Sequence, residues 1–219
     1  MKKLYVVISQ TGTGFAKALR KFGNLKYNHA SIALDKDLIE MYGYARKEQY
    51  GYFVAGLVKE TTDRFIIGTD ENDCAIAVFE LDVTQEQYEV VKQIINVMYE
   101  NKSYKYNLFS VLTHPLFGGY SSYNLFTCIE FVMFILQSLG VKLEKPASKY
   151  KPDELLEVLS DKLIYEGSLL EYITVYTKSP NYFNSVSVRL IGASVKNFCI
   201  ISKRSFGTLG RYLIRKISI

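Results

Sequence analysis

The sequence predicts one globular domain that combines a β-sheet with helices. Hydrophobic residues occupy 48% of the 219 positions and charged residues 22%, a balance typical of a chain that folds around its own core. Eighteen tyrosines and thirteen phenylalanines accompany no tryptophan, and tyrosine is frequent in half-buried strands and on cleft walls. Stretches with the pattern of strands alternate with stretches of helical spacing, so we expect both kinds of element.

The chain begins with a predicted strand and a short helix. Residues 3–9, KLYVVIS, cluster β-branched and aromatic side chains without helical spacing, which favours a buried strand. Residues 11–22, TGTGFAKALRKF, have the polar start and apolar repeat of a helix. Their glycines lack the GxxxxGK[ST] spacing of a phosphate loop, so nucleotide binding is disfavoured.

The next segment, residues 27–47, predicts a hairpin that carries two candidate residues. Its sequence YNHASIALDKDLIEMYGYARK contains two strand patterns on either side of a polar turn. A tight turn centred between residues 35 and 36 would place His29 opposite Tyr42. Glu40 would then lie diagonally beside His29 on the same face, within reach of a long side chain.

The middle of the chain predicts a further strand and a well-marked helix. Residues 51–68 favour a strand or a long loop, and residues 74–83, CAIAVFELDV, favour a strand. A capping box of Thr84 and Gln87 then opens a helix with apolar residues at helical spacing. Residues 104–123 are rich in Tyr, Gly and Ser and predict a long surface loop with one short helix.

A second capping box marks the start of the most apolar helix. In NLFTCIEFVMFIL, residues 124–136, Thr127 and Glu130 form the pattern T-x-x-E and make Cys128 the first helical residue. The helix body is apolar almost all round, which predicts burial on most faces, and it should end at Gly140. Residues 151–162, KPDELLEVLSDK, then predict a further helix with proline in its first turn.

The charge composition of the chain changes at residue 178, which predicts a domain over residues 1–177 and a C-terminal tail over residues 178–219. The tail contains eight Lys and Arg and no Asp or Glu, which leaves 19 basic against 22 acidic residues before it. Basic residues interleaved with apolar ones fit an anionic membrane surface. The alternative is a solvated segment whose apolar residues pack on the domain.

Composition also bounds the compartment and the cofactors. The first residues lack the long apolar run and cleavage site of a signal peptide, and no stretch reaches eighteen apolar residues, so we expect a cytoplasmic protein, if anything peripheral to a membrane. Three widely spaced cysteines argue against a disulfide framework. With only two histidines, a metal site is not expected, and no cofactor is predicted.

Cys128 is the cysteine whose position favours reactivity. A thiol in the first turn of a helix lies beside unpaired backbone N–H groups, which favour the thiolate. A cysteine nucleophile works with a histidine and an orienting polar group, and His29 with Glu40 would supply them. His114 is the fallback base. Taken singly, each of these residues has an ordinary structural explanation, and for Glu130 the capping role is preferable to a catalytic one.

These residues resemble a known family. His29 in YNHASIAL, Glu40 in IEMYGYARK and Cys128 in FTCIEFVMFIL are similar, in order and spacing, to the circularly permuted NlpC/P60 branch of papain-like cysteine hydrolases, the YiiX/YebB-like proteins. The resemblance covers residues 3–172. It implies an α+β fold in which the helix carrying Cys128 packs against an antiparallel sheet. Within the motifs, YGYARK and the Ile129 of CIEFV depart from the family pattern and leave the pocket and substrate undefined.

The activity implied by the resemblance is acyl transfer through a Cys128–His29–Glu40 triad. The substrate would be a small molecule, a peptide or a lipid with an amide, ester or thioester bond, and no cofactor is needed. A non-catalytic binding module of the same fold, held at a membrane surface by residues 178–219, is the alternative. Nucleic acid is disfavoured as a partner because the residues before the tail are slightly acidic.

Overall fold

The computed structural model describes residues 1–69 and 72–217, and at its centre is an antiparallel six-stranded sheet. The sheet consists of β1 (Lys2–Ser9), β2 (His29–Ala33), β3 (Met41–Arg46), β4 (Ala55–Lys59), β5 (Ala75–Val83) and β8 (Leu163–Ser168). The order across the sheet is β4-β3-β2-β1-β5-β8. A separate parallel pair joins β6 (Lys105–Tyr106) to β7 (Leu125–Phe126).

Helices occupy most of the connections between strands. They are α1 (Gly14–Gly23), α2 (Thr62–Ile66), α3 (Gln85–Glu100), α4 (Leu108–Leu112), α5 (His114–Phe117), α6 (Cys128–Ser138), α7 (Leu155–Val158), α8 (Leu169–Tyr172) and α9 (Val188–Ile217). Single turns of 3₁₀ helix lie at Ala147–Lys149, Pro152–Glu154 and Ser160–Lys162. The antiparallel sheet and its helices confirm the predicted α+β class.

The elements with strong local patterns are where the sequence predicts them. The first strand, the strand after residue 74 and the helix after Thr84 are β1, β5 and α3, and the Thr84–Gln87 capping box is present. The helix predicted over residues 151–162 is confirmed in its first part only: a 3₁₀ turn at Pro152–Glu154 continues directly into α7, and α7 ends where Leu159 leaves helical geometry (φ −121°, ψ 28°). Residues 104–123 hold β6, α4 and α5 rather than one short helix.

Each face of the sheet buries its own apolar cluster. One face packs against α3 and α6 and includes the buried Ala30, Ile32 and Tyr44, and the Tyr44 ring lies 5.5 Å from that of Phe131. The other face packs against α2, α8 and the segment before β5, and it includes Phe65, Cys74 and Leu169. The helix α6, which carries Cys128, therefore packs on the face of the sheet that includes Ala30, Ile32 and Tyr44.

The start of α6 is held by the predicted capping box. Thr127 Oγ1 accepts the backbone N–H of Glu130 at 3.1 Å, and Glu130 Oε2 accepts the backbone N–H of Thr127 at 3.4 Å. Ser121 Oγ donates to the other carboxylate oxygen at 2.5 Å. Eight residues of the helix are buried, although Phe134 remains 38% exposed. Two local contacts thus fix the position at which the helix begins.

The C-terminal tail packs on the domain through part of its surface. Tyr182, Leu190 and Ile201 are buried, and Gln49 N donates to Tyr182 O at 2.8 Å. Residues 188–217 form the long helix α9, whose Phe198 ring lies 5.0 Å from that of Phe53. The packing alternative therefore holds for these side chains, and residues 218–219 of the predicted tail lie outside the described part of the chain.

The buried cap of α6 makes stability depend on pH. Burial raises the pKa of Glu130 from 4.5 to about 7, so the folded state binds a proton that the unfolded chain releases. Stability from this group is complete below pH 4.5 and falls by about 3 kcal/mol as pH rises to 7. Glu130→Gln should remove this loss while keeping the cap, as measured by urea unfolding between pH 5 and 8.

The exposed cap of α3 provides the matched control. Gln87 occupies the same capping position at a partly exposed site, and Gln87→Glu leaves Glu130 in place, so this variant should lose stability between pH 5 and 8 to the same extent as the parent. A Glu130→Gln protein whose unfolding free energy falls with pH as steeply as that of the parent would contradict the assignment.

Candidate active site

The Cys128 thiol lies at the first turn of α6, where backbone groups of two elements face it. It is 5% exposed, and the N–H groups of Ala30 and Ile129 donate to its sulfur. Burial alone raises the pKa of the thiol, but the hydrogen bond from His29, the charge of that ring and the two backbone donors outweigh burial and lower it. The position therefore favours a thiolate.

His29 is the first residue of β2, and its ring is buried between two side chains that hydrogen-bond to it. Nε2 lies 2.7 Å from Glu60 Oε1, and the ring also contacts the Cys128 side chain. Burial lowers the pKa of His29, but the charge of Glu60 and the hydrogen bonds to Cys128 and Glu60 outweigh burial and raise it well above the ordinary value. The imidazolium form is therefore stabilised beside the sulfur.

The carboxylate that orients His29 belongs to Glu60, the residue directly after β4. Its backbone N–H donates to Met41 O at 2.8 Å, which continues the pairing of β4 with β3. Glu60 is 3% exposed, and Ser31 Oγ donates to its second oxygen. Burial raises the pKa of Glu60, but the charge and hydrogen bond of His29, the charge of Arg64 and the Ser31 bond outweigh burial and lower it.

A glycine on the intervening strand gives the carboxylate room to reach His29. A Cβ at Gly43 of β3 would lie 2.7 Å from Glu60 Oε2, closer than real contacts allow, and 3.0 Å from Ser31 Oγ, which is tighter than most. The Glu60 side chain therefore crosses β3 at a point where there is no side chain. Residues from β2, β3 and β4 together build this arrangement.

Glu40 is not beside His29, and the predicted register of the hairpin is wrong. The strands pair Ile32 with Tyr42, which is three residues away from the predicted pairing of His29 with Tyr42. The turn is longer because the Asp35 carboxylate accepts the N–H groups of Ile39 and Glu40 at 3.0 and 2.6 Å. The change leaves Glu40 at the turn end of the hairpin.

At that end, Glu40 has other partners. It forms an ion pair with Lys59 and accepts the Tyr42 hydroxyl at 2.8 Å, and its side chain is 45% exposed. His29 lies at the opposite end of β2, four residues before Ala33, a distance of about 13 Å along a strand. Glu40 therefore cannot orient the His29 ring, and Glu60 occupies the role that the sequence assigned to Glu40.

Tyr106 is a second residue of the site that the sequence did not indicate. It lies on β6, and its pairing with Phe126 of β7 brings it to the start of α6. Burial raises the pKa of the Tyr106 hydroxyl well above its ordinary value, and the charge of Cys128 and the hydrogen bond to it act in the same direction. The hydroxyl therefore remains protonated and can donate a hydrogen bond beside the sulfur.

His114, the fallback base, lies on α5 and lines the same cleft as Cys128. It is partly buried, and its Nε2 has no hydrogen-bond partner among the described residues. Burial and the charges of Lys151, Lys149 and Lys145 lower its pKa, with Glu154 opposing them. His29 hydrogen-bonds to the Cys128 thiol and lowers its pKa, so His29 is the better candidate base.

Two clefts meet at the Cys128–His29 pair. The first, of about 180 Å³, is lined by Cys128 and mostly apolar surface; we call it the apolar cleft, with Leu19, Leu25, Val111, Pro115, Ile129 and Pro152 among its residues. The second, of about 110 Å³, is lined by His29 and Glu60; we call it the arginine cleft, with Arg46, Arg64, Tyr52, Phe65, Leu108 and Tyr182 among its residues. Leu19, Asn28 and Tyr106 line both.

The other cysteines lack comparable surroundings. Burial raises the pKa of Cys74 to about 12, and Cys199 is exposed on α9. Within residues 1–69 and 72–217, no three His, Cys, Asp or Glu side chains cluster closely enough to hold a metal ion. Over the same described ranges, no helix combines the length and apolar character needed to cross a membrane.

The chain matches no family model, no curated protein and no solved structure. The arrangement of Cys128, His29, Glu60 and Tyr106 therefore carries the functional argument by its chemistry. A thiol, a base with an orienting carboxylate and a hydroxyl donor together have the groups required for nucleophilic attack on a carbonyl carbon.

Glu60 and Glu40 should differ in their effect on the Cys128 thiol. Replacing Glu60 by Gln removes the charge that favours the imidazolium, so the pH midpoint for alkylation of Cys128 by iodoacetamide should rise by about one unit or more. Glu40→Gln removes a carboxylate at the turn end and should leave the midpoint unchanged. Equal midpoints in the two variants, each checked for folding by circular dichroism, would contradict the role assigned to Glu60.

Proposed function

We propose that this protein is a cysteine hydrolase or acyltransferase that acts on an amide, ester or thioester bond. The observation that carries the proposal is the buried hydrogen bond between Cys128 and His29, whose Nε2 lies 2.7 Å from Glu60 Oε1. In this pair, charges and hydrogen bonds outweigh the effect of burial on the pKa of each residue and favour the thiolate–imidazolium state. A buried structural cysteine has the opposite shift, as Cys74 does. The permuted NlpC/P60 resemblance is consistent with this proposal, with Glu60 in place of Glu40.

The first half of the reaction forms a thioester on the enzyme. The Cys128 thiolate attacks the carbonyl carbon, and the carbonyl electron pair moves to oxygen. The Tyr106 hydroxyl and the backbone N–H of Cys128, which the helix start leaves without an intrahelical acceptor, are the donors available for that oxyanion. When the tetrahedral intermediate collapses, the leaving group departs with the proton of the His29 imidazolium.

The second half transfers the acyl group. Neutral His29 takes a proton from water or another acceptor, and the resulting nucleophile attacks the thioester. The Cys128–acyl bond breaks, the sulfur leaves as a thiolate, and the imidazolium forms again. Glu60 keeps its charge throughout, and its bonds to Ser31 and His29 hold the ring in place.

We expect a covalent acyl-enzyme on Cys128. With p-nitrophenyl octanoate, the protein should release a burst of p-nitrophenolate close to one equivalent and gain the mass of one octanoyl group on the Cys128 peptide. His29→Ala should slow the burst by about 100-fold or more, since general acid–base groups contribute 10²–10⁴. Cys74→Ala is the matched control. Acylation that persists in Cys128→Ser, or at equal rates in His29→Ala, would exclude the mechanism.

The alternative is a non-catalytic module of the same fold that binds a membrane surface through the tail. One observation favours surface attachment: α9 exposes apolar side chains, among them Val188 at 87%, Val195 at 60% and Phe206 at 57%, next to Lys196 and Lys203. Acidic residues are absent from positions 178–219, so the helix presents only positive charge to an anionic lipid. Such attachment is compatible with catalysis.

Reversing two charges on α9 tests attachment without removing buried contacts. Lys196→Glu with Lys203→Glu should weaken flotation with phosphatidylserine vesicles by more than tenfold, because each basic residue near an anionic surface contributes about 1 kcal/mol. Lys36→Glu with Lys142→Glu, two exposed lysines outside the tail, makes the same change in net charge. An equal loss of vesicle flotation in the two double variants, or no vesicle binding by the parent protein, would exclude a role for the tail at membranes.

A further inference from the structure

The two clefts lie on chemically different sides of the scissile bond. The first cleft is lined by Cys128, which keeps the acyl group after bond cleavage. The second is lined by His29, which gives its proton to the leaving group and must therefore lie within hydrogen-bond reach of that group. Given the proposed function, the acyl part belongs in the apolar cleft and the leaving group in the arginine cleft.

The arginine cleft presents two guanidinium groups that are held in place by protein contacts. Arg46 Nη1 donates to Gln49 O at 2.6 Å, and its guanidinium lies 5.1 Å from the Tyr52 ring centre. Arg64 Nη2 donates to Arg46 O at 2.6 Å, and its guanidinium lies 4.3 Å from the Tyr182 ring centre. A guanidinium has five N–H donors, so each arginine has donors left for a ligand.

The negative charges near these arginines are already engaged. Glu60 is hydrogen-bonded to His29 and Ser31, and its charge is balanced by the imidazolium. Asp63, which also acts on Arg64, accepts the Thr61 hydroxyl and the Ser179 N–H at 2.6 and 2.8 Å. Because Glu60 and Asp63 are already hydrogen-bonded to other groups, the two fixed, planar guanidinium groups leave positive charge in the cleft. Such a pair suits a phosphate group, which accepts paired hydrogen bonds from arginine.

The apolar cleft suits a hydrocarbon group of moderate length. Its volume of about 180 Å³ slightly exceeds the cavity of about 150 Å³ that holds a benzene molecule, which leaves room for about six to eight carbons. Polar groups also line it, including Ser110, Ser148 and Lys151. Lys151 is therefore the cation that competes with the arginines for a phosphate.

We infer that the substrate joins a medium-length hydrocarbon acyl group, held in the apolar cleft, to a phosphate-bearing leaving group, held by Arg46 and Arg64. Cleavage leaves the acyl group on Cys128 and releases the phosphate-bearing alcohol or thiol, protonated by His29. The vacated arginine cleft then admits the water or acceptor that completes the reaction. Two sources share this chemistry, an acyl glycerophosphate and an acyl thioester of coenzyme A.

Binding to the full-length Cys128→Ala protein tests the inference without catalysis. By calorimetry, 1-octanoylglycerol 3-phosphate should bind at least tenfold more tightly than 1-octanoylglycerol, from which it differs only in the phosphate. In the second arm, octanoyl-coenzyme A should bind at least tenfold more tightly than octanoyl-pantetheine. If the phosphate strengthens binding only in the first arm, the leaving group is a lipid headgroup. If it strengthens binding only in the second arm, the leaving group is the thiol of a nucleotide. If it strengthens binding in both arms, the cleft is a general phosphate site.

Variants in the Cys128→Ala background locate the phosphate. Arg46→Ala should weaken binding of the preferred phosphate probe about tenfold, as loss of a hydrogen bond to a charged group does. Lys151→Ala, which removes the cation of the other cleft, should not. No phosphate advantage in either arm, or a greater loss in Lys151→Ala than in Arg46→Ala, would overturn the inference. Acylation of Cys128 is measured separately, so a binding site without turnover would contradict the proposed function alone.

Discussion

The structure of the site depends on one buried carboxylate that bridges strands. Glu60 follows β4, crosses β3 at Gly43 and ends between His29 and Ser31 on β2. A carboxylate that is 3% exposed is costly unless it is paired and hydrogen-bonded, and here both oxygens have a donor. Because the three strands are fixed by the register of the sheet, the pairing also fixes the direction of the His29 ring relative to α6.

The same carboxylate links the fold to the chemistry. Its charge favours the imidazolium, the imidazolium favours the thiolate, and the backbone donors at the start of α6 favour the thiolate further. Each group is buried and would on its own prefer its neutral form. Charge separation at Cys128 is therefore a property of the whole chain of contacts, and removing any member affects the others.

Sequence reasoning was most successful where the determinants are local. The capping box of Thr127 and Glu130 lies within four residues and correctly located the first turn of α6. The strand that carries His29 also followed from the residue pattern, and its place near Cys128 followed from the family resemblance. What failed was the hairpin register, because Asp35 binds two N–H groups across the turn and lengthens it. No periodicity in the flanking strands reports such a bond.

Glu60 and Tyr106 could not be located in the same way, because their roles depend on pairings between segments far apart in the chain. Two signals were present: a glutamate two residues after the apolar run AGLV, and a glycine at position 43 inside the neighbouring strand. A glycine within a strand often marks a close approach by another group. Combined with the order of the strands, the Gly43 signal would have indicated Glu60 rather than Glu40.

Contacts cross the predicted boundary at residue 177. Tyr182 belongs to the predicted tail, yet it is buried, lies over Arg64 and lines the arginine cleft. Thr177 and Ser179 are hydrogen-bonded to Thr62 and Asp63 of α2. Removing the tail would therefore remove one wall of the arginine cleft together with the basic helix α9. Because the two effects coincide in a truncation, only substitutions on the exposed face of α9 separate attachment from catalysis.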